Sequence, residues 1–334
     1  MPPASPPTTS RVTTISVIIP SWRRPSDLAR CLRAVAAQRV PPFEVVVGAR
    51  ADDAATAEVV AAEAARRAYP VTIATTTAPG VIAAMSAALA RVRGDIVALT
   101  DDDAEPRPDW IERLDAVFAH PRVGGVGGRD WQPAERGDRD DVGRVQWFGR
   151  VIGHHHLGAG PARPVDVLKG ANAAFRTSLV RAVGFDARLR GAGAQMFWEL
   201  ALCLPLRRAG WTLIYDPAIA VDHHIAPRHD ADQRHRGSFA AAPQVEAVHN
   251  ETLALLEHLG APGRVAFMAW GLGVGTRIEP GLAQVPRLLW RRDADVGAKV
   301  GATWAGRLAG WRAWRQARAS ASERAARIPR PPGG

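Results

Sequence analysis

The chain has 334 residues, of which 47% are hydrophobic and 23% charged, with two cysteines and a formal net charge of +10. These values exclude a disulfide scaffold and a disordered low-hydrophobicity chain, and no run of about 18 apolar residues suggests a membrane span. The charge is concentrated: residues 287–330 hold eleven Lys or Arg against three Asp or Glu, a net +8 that leaves +2 for the rest. Such a tail points to an anionic partner, either a membrane surface or nucleic acid.

Residues 1–12 are rich in Pro, Ser and Thr and lack the basic start and apolar core of a signal peptide. They read as a disordered lead-in, and the chain as cytoplasmic. A strand over 14–20 ends at Pro20. Leu28, Leu32 and Val35 then recur at helical spacing, with Ser26 or Asp27 as N-cap. A strand over 43–47, an Ala-rich helix over 56–68, a strand over 71–75 and a helix over 81–92 follow. Next comes the apolar run Ile96 to Leu99, a short buried strand. The alternation β-α-β-α-β-α-β argues for a parallel sheet covered by helices on both faces.

That fourth strand runs into Asp101, Asp102 and Asp103, after which Pro106 and Pro108 forbid its continuation and a helix opens over 109–119. In open α/β sheets ligands bind beyond the carboxyl ends of the strands. Three carboxylates there repel one another unless a cation sits among them. A divalent metal carrying a phosphorylated ligand suits the place better than a solvated acidic turn capping the helix.

Beyond 119 the pattern changes. Residues 123–131 form a glycine-rich strand without the spacing of a dinucleotide-binding loop. Residues 133–165 are loop-like and include His154, His155 and His156, placed here in an acceptor loop without a metal role. A strand is expected over 166–175, a short helix over 178–186, a helix over 197–209 that contains Pro205, and a last strand over 211–215 leading to His223 and His224. Residues 227–237 read as a charged loop, 245–259 as an amphipathic helix and 265–274 as an apolar segment. In the tail, Val300, Trp304, Leu308 and Trp311 share one helical stripe.

Several of these pieces, in order, resemble the glycosyltransferase family 2 enzymes. They are Val17-Ile-Ile-Pro-Ser-Trp-Arg-Arg-Pro, Leu28 with Cys31-Leu32 and Gln38, and Gly94-Asp-Ile-Val-Ala-Leu-Thr-Asp-Asp-Asp. Lys169-Gly-Ala-Asn-Ala-Ala-Phe-Arg with Gly184-Phe-Asp, and Arg207-Arg-Ala-Gly-Trp, complete the set. The resemblance implies a GT-A fold over 13–226, a Rossmann-like, mostly parallel α/β sheet sandwiched by helices. The helical C-terminal extension over 227–334, basic and Trp-rich, lies outside the resemblance. The resemblance implies an inverting transfer of sugar from a nucleotide-diphosphate donor to the hydroxyl of a glycan, a lipid-linked precursor or a secondary metabolite.

The resemblance also implies roles. Asp101, Asp103 and His223 would hold Mg²⁺ or Mn²⁺, with His224 the neighbouring alternative. Pro20, Ser21, Trp22, Arg24, Asp52, Gly80, Asp101, Asp102, Gly170 and Asn172 would bind the nucleotide sugar. Asp130, Trp198 and His224 would face the acceptor. Glu199 matches the second acid of the family's catalytic pair, with Trp198 in place of the first, and would be the base; the bland alternative is a glutamate stabilised by a helix N-terminus. Two departures leave the nucleotide base unassigned. Gly48-Ala-Arg-Ala precedes Asp52-Asp53 where the family carries uracil-reading acids, and Met85-Ser86 replace an Arg-Asn pair. For the Trp- and Arg-rich C-terminal region, contact with the inner face of a membrane and simple packing on the catalytic domain both stand, and no nucleic-acid partner is expected. A nucleotidyltransferase and a non-catalytic membrane- or nucleic-acid-binding relative are the rival functions.

Overall fold

A computed structural model describes residues 13–133, 136–227, 229 and 239–333, with the helical backbone alone over 318–325. The expected lead-in over 1–12, and most of the charged loop expected over 227–237, lie outside the described residues.

The order begins β1 (Ile15–Ser21), α1 (Pro25–Ala36), β2 (Glu44–Arg50), α2 (Ala54–Ala64), β3 (Val71–Thr76), α3 (Val81–Leu89), β4 (Ile96–Leu99). β5 (Ala104–Pro106), α4 (Trp110–Phe118) and β6 (Val123–Trp131) follow, then the short strands β7 (Arg144–Val145), β8 (Val151–Ile152) and β9 (Arg163–Val165). β10 (Ala173–Arg176), α5 (Thr177–Val183), α6 (Trp198–Arg208) and β11 (Thr212–His223) complete the sheet. The main sheet runs β3-β2-β1-β4-β10-β6-β11-β5, with β9 on β11. The first four strands in that order are parallel, whereas β10 is antiparallel to both β4 and β6. The alternation of apolar strands with helices thus yields the expected mostly parallel α/β sheet. Two apolar layers cover it. Leu28, Leu32, Val35, Trp110 and Leu114 of α1 and α4 fill one face. Met85, Leu202, Leu206 and Tyr215 belong to the other, together with Leu253, Leu255 and Phe267 from the C-terminal helices.

Some expected elements change on folding. Asp101 to Asp103 do not simply end a strand, because Ala104–Pro106 forms a new one, antiparallel to the end of β11. Pro106 is tolerated at its last position on the sheet edge, where no ladder N–H is required. The strand expected over 166–175 is shorter: Gly170–Asn172 is a 3₁₀ turn and pairing begins at Ala173. α1 starts at Pro25, so Ser26 and Asp27 lie inside its first turn and neither caps it; Asp27 instead pairs with Arg30 at 2.7 Å. The last strand runs on past Tyr215 to His223.

The C-terminal helices are α7 (Ala241–His258), α8 (Ala261–Gly273), α9 (Val285–Trp290) and α10 (Val296–Ala326). α7 is not a surface amphipathic helix. It is buried between α6 and α10, and even its Gln244, Asn250, Glu251 and Thr252 are inside. α10 packs on it through Gly306 and Gly310, where a Cβ would lie 2.6 Å from Val248 Cβ and Thr252 Cβ respectively. Of the expected stripe Val300, Trp304, Leu308 and Trp311, Trp304 and Leu308 face outward, whereas Val300 is half-buried and Trp311 packs against the core. Among the described residues no helix is long and apolar enough to cross a membrane.

Candidate active site

The carboxyl ends of β1 and β4 diverge around Asp101, Asp102 and Asp103, and a cleft of about 460 Å³ opens there. Each acid of the triplet faces a different neighbour. Asp102 turns toward β1, where Ser21 Oγ donates to it at 2.8 Å and Arg24 Nη1 at 2.8 Å. Burial outweighs both partners and pushes its carboxyl up to about 7. Asp103 turns toward β11. The β5–β11 pairing sets His223 opposite Ala104, which leaves His223 Nε2 3.2 Å from Asp103 Oδ1. Ala226 N–H donates to Asp103 Oδ2 at 2.9 Å. Burial works against ionisation of Asp103, but these hydrogen bonds and the charge of His223 win and hold it down near 2. Asp101 opens into the cleft, its carboxyl raised by burial and by Asp103.

One oxygen or nitrogen from each of Asp101, Asp103 and His223 lies within 4.8 Å of the others. This set fits a divalent ion of the Mg²⁺ or Mn²⁺ type: two hard carboxylates with one imidazole, open on the side of the cleft. Behind it sits Asp130, fully buried at the end of β6. Its Oδ2 accepts from Lys169 Nζ and from Gln132 Nε2, and lies 3.4 Å from His223 Nδ1. A carboxylate behind the second ring nitrogen is how a ligating histidine is usually oriented. Burial disfavours a charged His223, yet the bonds to Asp103 and Asp130 outweigh it and raise the imidazole to about 9. Asp130 is itself held well below the usual carboxylate range, Lys169 and His223 prevailing over burial. The acceptor role expected for Asp130 does not fit this position, because its carboxylate is sealed beneath Lys169 and His223.

Glu199 lies in the first turn of α6, on the wall of the same cleft. Gly170 N–H donates to its Oε1 at 3.3 Å. Burial raises its carboxyl above the ordinary glutamate range. Trp198 lies buried against Gly170, also on the cleft wall. The loop over 190–197 closes the far side. Gln195 Oε1 accepts from Ile82 N–H at 3.0 Å, and Gly193 O from Val81 N–H at 2.8 Å, so this loop caps α3. Asn250 of α7 holds the loop by accepting from Arg190 N–H at 2.7 Å and donating to the Met196 carbonyl at 3.1 Å.

Pro20, Ser21, Trp22, Arg24, Gly80, Gly170, Trp198, Glu199, His223 and the acidic triplet all line the cleft. Besides Asp130, three expected residues do not. Asn172 is saturated as a structural amide: it accepts from Trp110 Nε1 at 2.8 Å and donates to the carbonyls of Arg129 and Ile219. Asp52 is exposed and chelated by Arg50. His224 leans out onto Glu105 at 2.8 Å. Of the histidine run, His154 lies on Asp141, His155 is buried against the Val167 carbonyl, and His156 reaches the cleft.

The sequence reading passed over Lys169, Arg50 and Gln195. Lys169 opens the Lys169-Gly-Ala-Asn motif but was given no role of its own. Arg50 ends β2 and lies 5.1 Å from the Trp22 ring centre, where the family's acids were expected. Gln195 carried no sequence signal, since its role depends on the N-terminus of a helix more than a hundred residues earlier.

The chain matches the family described as glycosyltransferase like family 2 over residues 13–244. It belongs to that family. The chain is also 33% identical over 150 residues to an uncharacterized protein, y4gI, of Sinorhizobium fredii. That match takes in 42% of this chain and 16% of the relative, so the chain spans a small part of that protein's length. Among solved structures it is similar to the mannosyltransferase PcManGT from Pyrobaculum calidifontis in complex with GDP-Man and Mn²⁺. The TM-score is 0.58 at 20% identity, covering 96% of this chain and 88% of that one. S. aureus TarS 1-349 in complex with UDP-GlcNAc aligns at TM-score 0.54 and 15% identity, over 92% of each chain. GalNAc-T7 with UDP, GalNAc and Mn²⁺ aligns at TM-score 0.58 and 15% identity, over 74% of this chain and 48% of that one. These likenesses show a GT-A fold, as the sequence motifs implied.

Proposed function

We propose that this glycosyltransferase is a metal-dependent, inverting enzyme that moves a sugar from a nucleotide-diphosphate donor to an acceptor hydroxyl carried on a glycan, a lipid-linked precursor or a small metabolite. The observation that carries the reading is that the Asp101–Asp103–His223 set and Glu199 line one cleft. Asp101, Asp103 and His223 would hold Mg²⁺ or Mn²⁺, which when bound supplies Lewis-acid charge stabilisation to the departing diphosphate. Arg24 and Lys169, on the same walls, add fixed positive charge. Ser21, Trp22, Arg24 and Gly80 bind the donor, and Trp198 shapes the acceptor side.

Glu199 takes the proton of the acceptor hydroxyl as its oxygen attacks the anomeric carbon from the face opposite the leaving group. Burial suits it to this task, because a carboxylate made more basic accepts a proton more readily near neutral pH. A GDP-sugar donor and a UDP-sugar donor occur in the similar structures. Arg50, which lies on Trp22 and pairs with Asp52 at the end of β2, is the residue of this chain that would choose between them.

The test is product identification with a panel of sugar nucleotides, with Mn²⁺ or Mg²⁺ and after chelation. The expected products are a nucleoside diphosphate and a glycoside of inverted anomeric configuration, with turnover lost on chelation and restored by the ion. Asp103→Ala and Glu199→Gln should each abolish transfer in a folded protein. Release of pyrophosphate would instead make the enzyme a nucleotidyltransferase.

A further inference from the structure

Past residue 244 the chain leaves the extent of the family match, and its helices turn an uncharged side outward. α8 buries Gly263, Phe267 and Gly271 along one side. The opposite side carries no charge, and Val265 there is 72% exposed. This side continues onto α10, because Trp304 Nε1 donates to the Leu272 carbonyl at 3.3 Å. Trp304 and Leu308, one turn apart, are both exposed. α9 adds Leu289 and Trp290, the latter 83% exposed. At the start of α8 the tip of the β7–β8 hairpin abuts Gly263, and Trp147 projects from it 71% exposed. Single exposed apolar side chains are ordinary on a soluble protein, but Val265, Leu289, Trp290, Trp304 and Leu308 exposed on three consecutive helices are not.

The charge beside this face is mostly positive: Arg277, Arg287, Arg291, Arg292 and Lys299 stand against Asp293 and Asp295, and Asp293 is paired with Lys299. Arg287 sits with Arg277 and Arg291, close enough that the two hold its guanidinium below the ordinary range. None of the three has a carboxylate ion-pair partner among the described residues. Arginines gathered without acids repel one another in water, and an anionic surface relieves that repulsion. Tryptophan settles at the headgroup level of a bilayer, and arginine reaches the phosphates while its stem stays in apolar surroundings. Nucleic acid would satisfy the arginines but offers nothing to Val265, Leu289 and Leu308.

We propose that α8, α9 and the first half of α10 form an interfacial docking face for the surface of an anionic phospholipid bilayer. The face lies outside the catalytic cleft, and its binding is measured without turnover, so the catalytic reading and this one fail separately.

Flotation of the full chain with vesicles tests it, using phosphatidylcholine alone and phosphatidylcholine with phosphatidylglycerol in equal parts. The protein is expected to float with the anionic vesicles and to remain behind with the neutral ones. The pair Leu289→Ser with Trp290→Ser, and the pair Arg287→Glu with Arg291→Glu, should each weaken binding by about tenfold or more. Neither pair should change the melting temperature or turnover on a soluble acceptor. Failure of the wild-type chain to float, or flotation of both variants as well as the wild type, would overturn the proposal. Tighter binding to a DNA duplex than to anionic vesicles, falling steeply with salt, would assign the face to nucleic acid and overturn it equally.

Discussion

Gly170 and Trp198 touch so closely that a Cβ at position 170 would lie 2.3 Å from Trp198 Cζ2. The contact joins the turn before β10 to the first residue of α6, and the Gly170 N–H also holds Glu199. Gly170→Ala must therefore move the indole and the base together. Overpacking of this kind typically costs about 1–3 kcal/mol. The expected result is a lower melting temperature together with a larger loss of turnover than the stability change explains. A variant with wild-type turnover would show that the wall of the cleft yields without disturbing Glu199.

Glu199 governs the expected pH dependence. Its carboxyl is raised by burial, and only the ionised form can take a proton, so turnover should rise with pH through a value above the ordinary glutamate range. Glu199→Gln should remove that limb along with roughly 10²-fold or more of the rate. The same shift has a stability consequence. A carboxyl whose folded pKa exceeds its unfolded pKa binds protons more readily in the folded state, so stability falls as pH rises between the two values. Glu199→Gln keeps an oxygen for the Gly170 N–H and should be at least as stable as wild type at neutral pH, as chemical denaturation at acid and neutral pH would show.

Asp130 is expected to act through His223. Asp130→Asn removes the negative charge that anchors Lys169 and faces His223 Nδ1. Loss of such an outer partner typically lowers metal affinity by about 10–100-fold. Calorimetric titration of chelator-stripped protein with Mn²⁺ should show that loss; an unchanged affinity would separate Asp130 from the metal site.

Arg307 offers a test of how the C-terminal helices are held. It is completely buried on α10, with Nη2 2.9 Å from Glu279, Nη1 on Glu251 and Thr252, and the Phe267 ring centre 4.7 Å away. Removing one partner from a buried ion cluster usually costs about 3–5 kcal/mol, because charge is left unpaired. Arg307→Ala should lose about that much in denaturant unfolding. Arg307→Met with Glu251→Gln and Glu279→Gln should recover part of it, since no carboxylate is then stranded.

Much of the catalytic half was legible before folding. Apolar runs broken by proline and glycine marked the strands, and the acids following Ile96–Leu99 marked the carboxyl end of the sheet. Asn172 shows where motif reading goes astray. Its place in Lys169-Gly-Ala-Asn suggested the donor, but three hydrogen bonds to Trp110, Arg129 and Ile219 tie it into the core. Asp130 likewise looked like a free acid at a strand end.

By itself the sequence determined the alternating sheet and the acidic triplet at its edge, because hydrophobic periodicity and turn residues act over a few neighbours; Glu199 was singled out by the family resemblance alone. Only the tertiary structure decided which acid meets which cation, since Arg24 and His223 reach the triplet, and Lys169 reaches Asp130, from distant strands and loops. It also decided that Trp304 and Leu308 face outward while Trp311 packs inward: α10 takes its partner on the side where Gly306 and Gly310 let it approach α7.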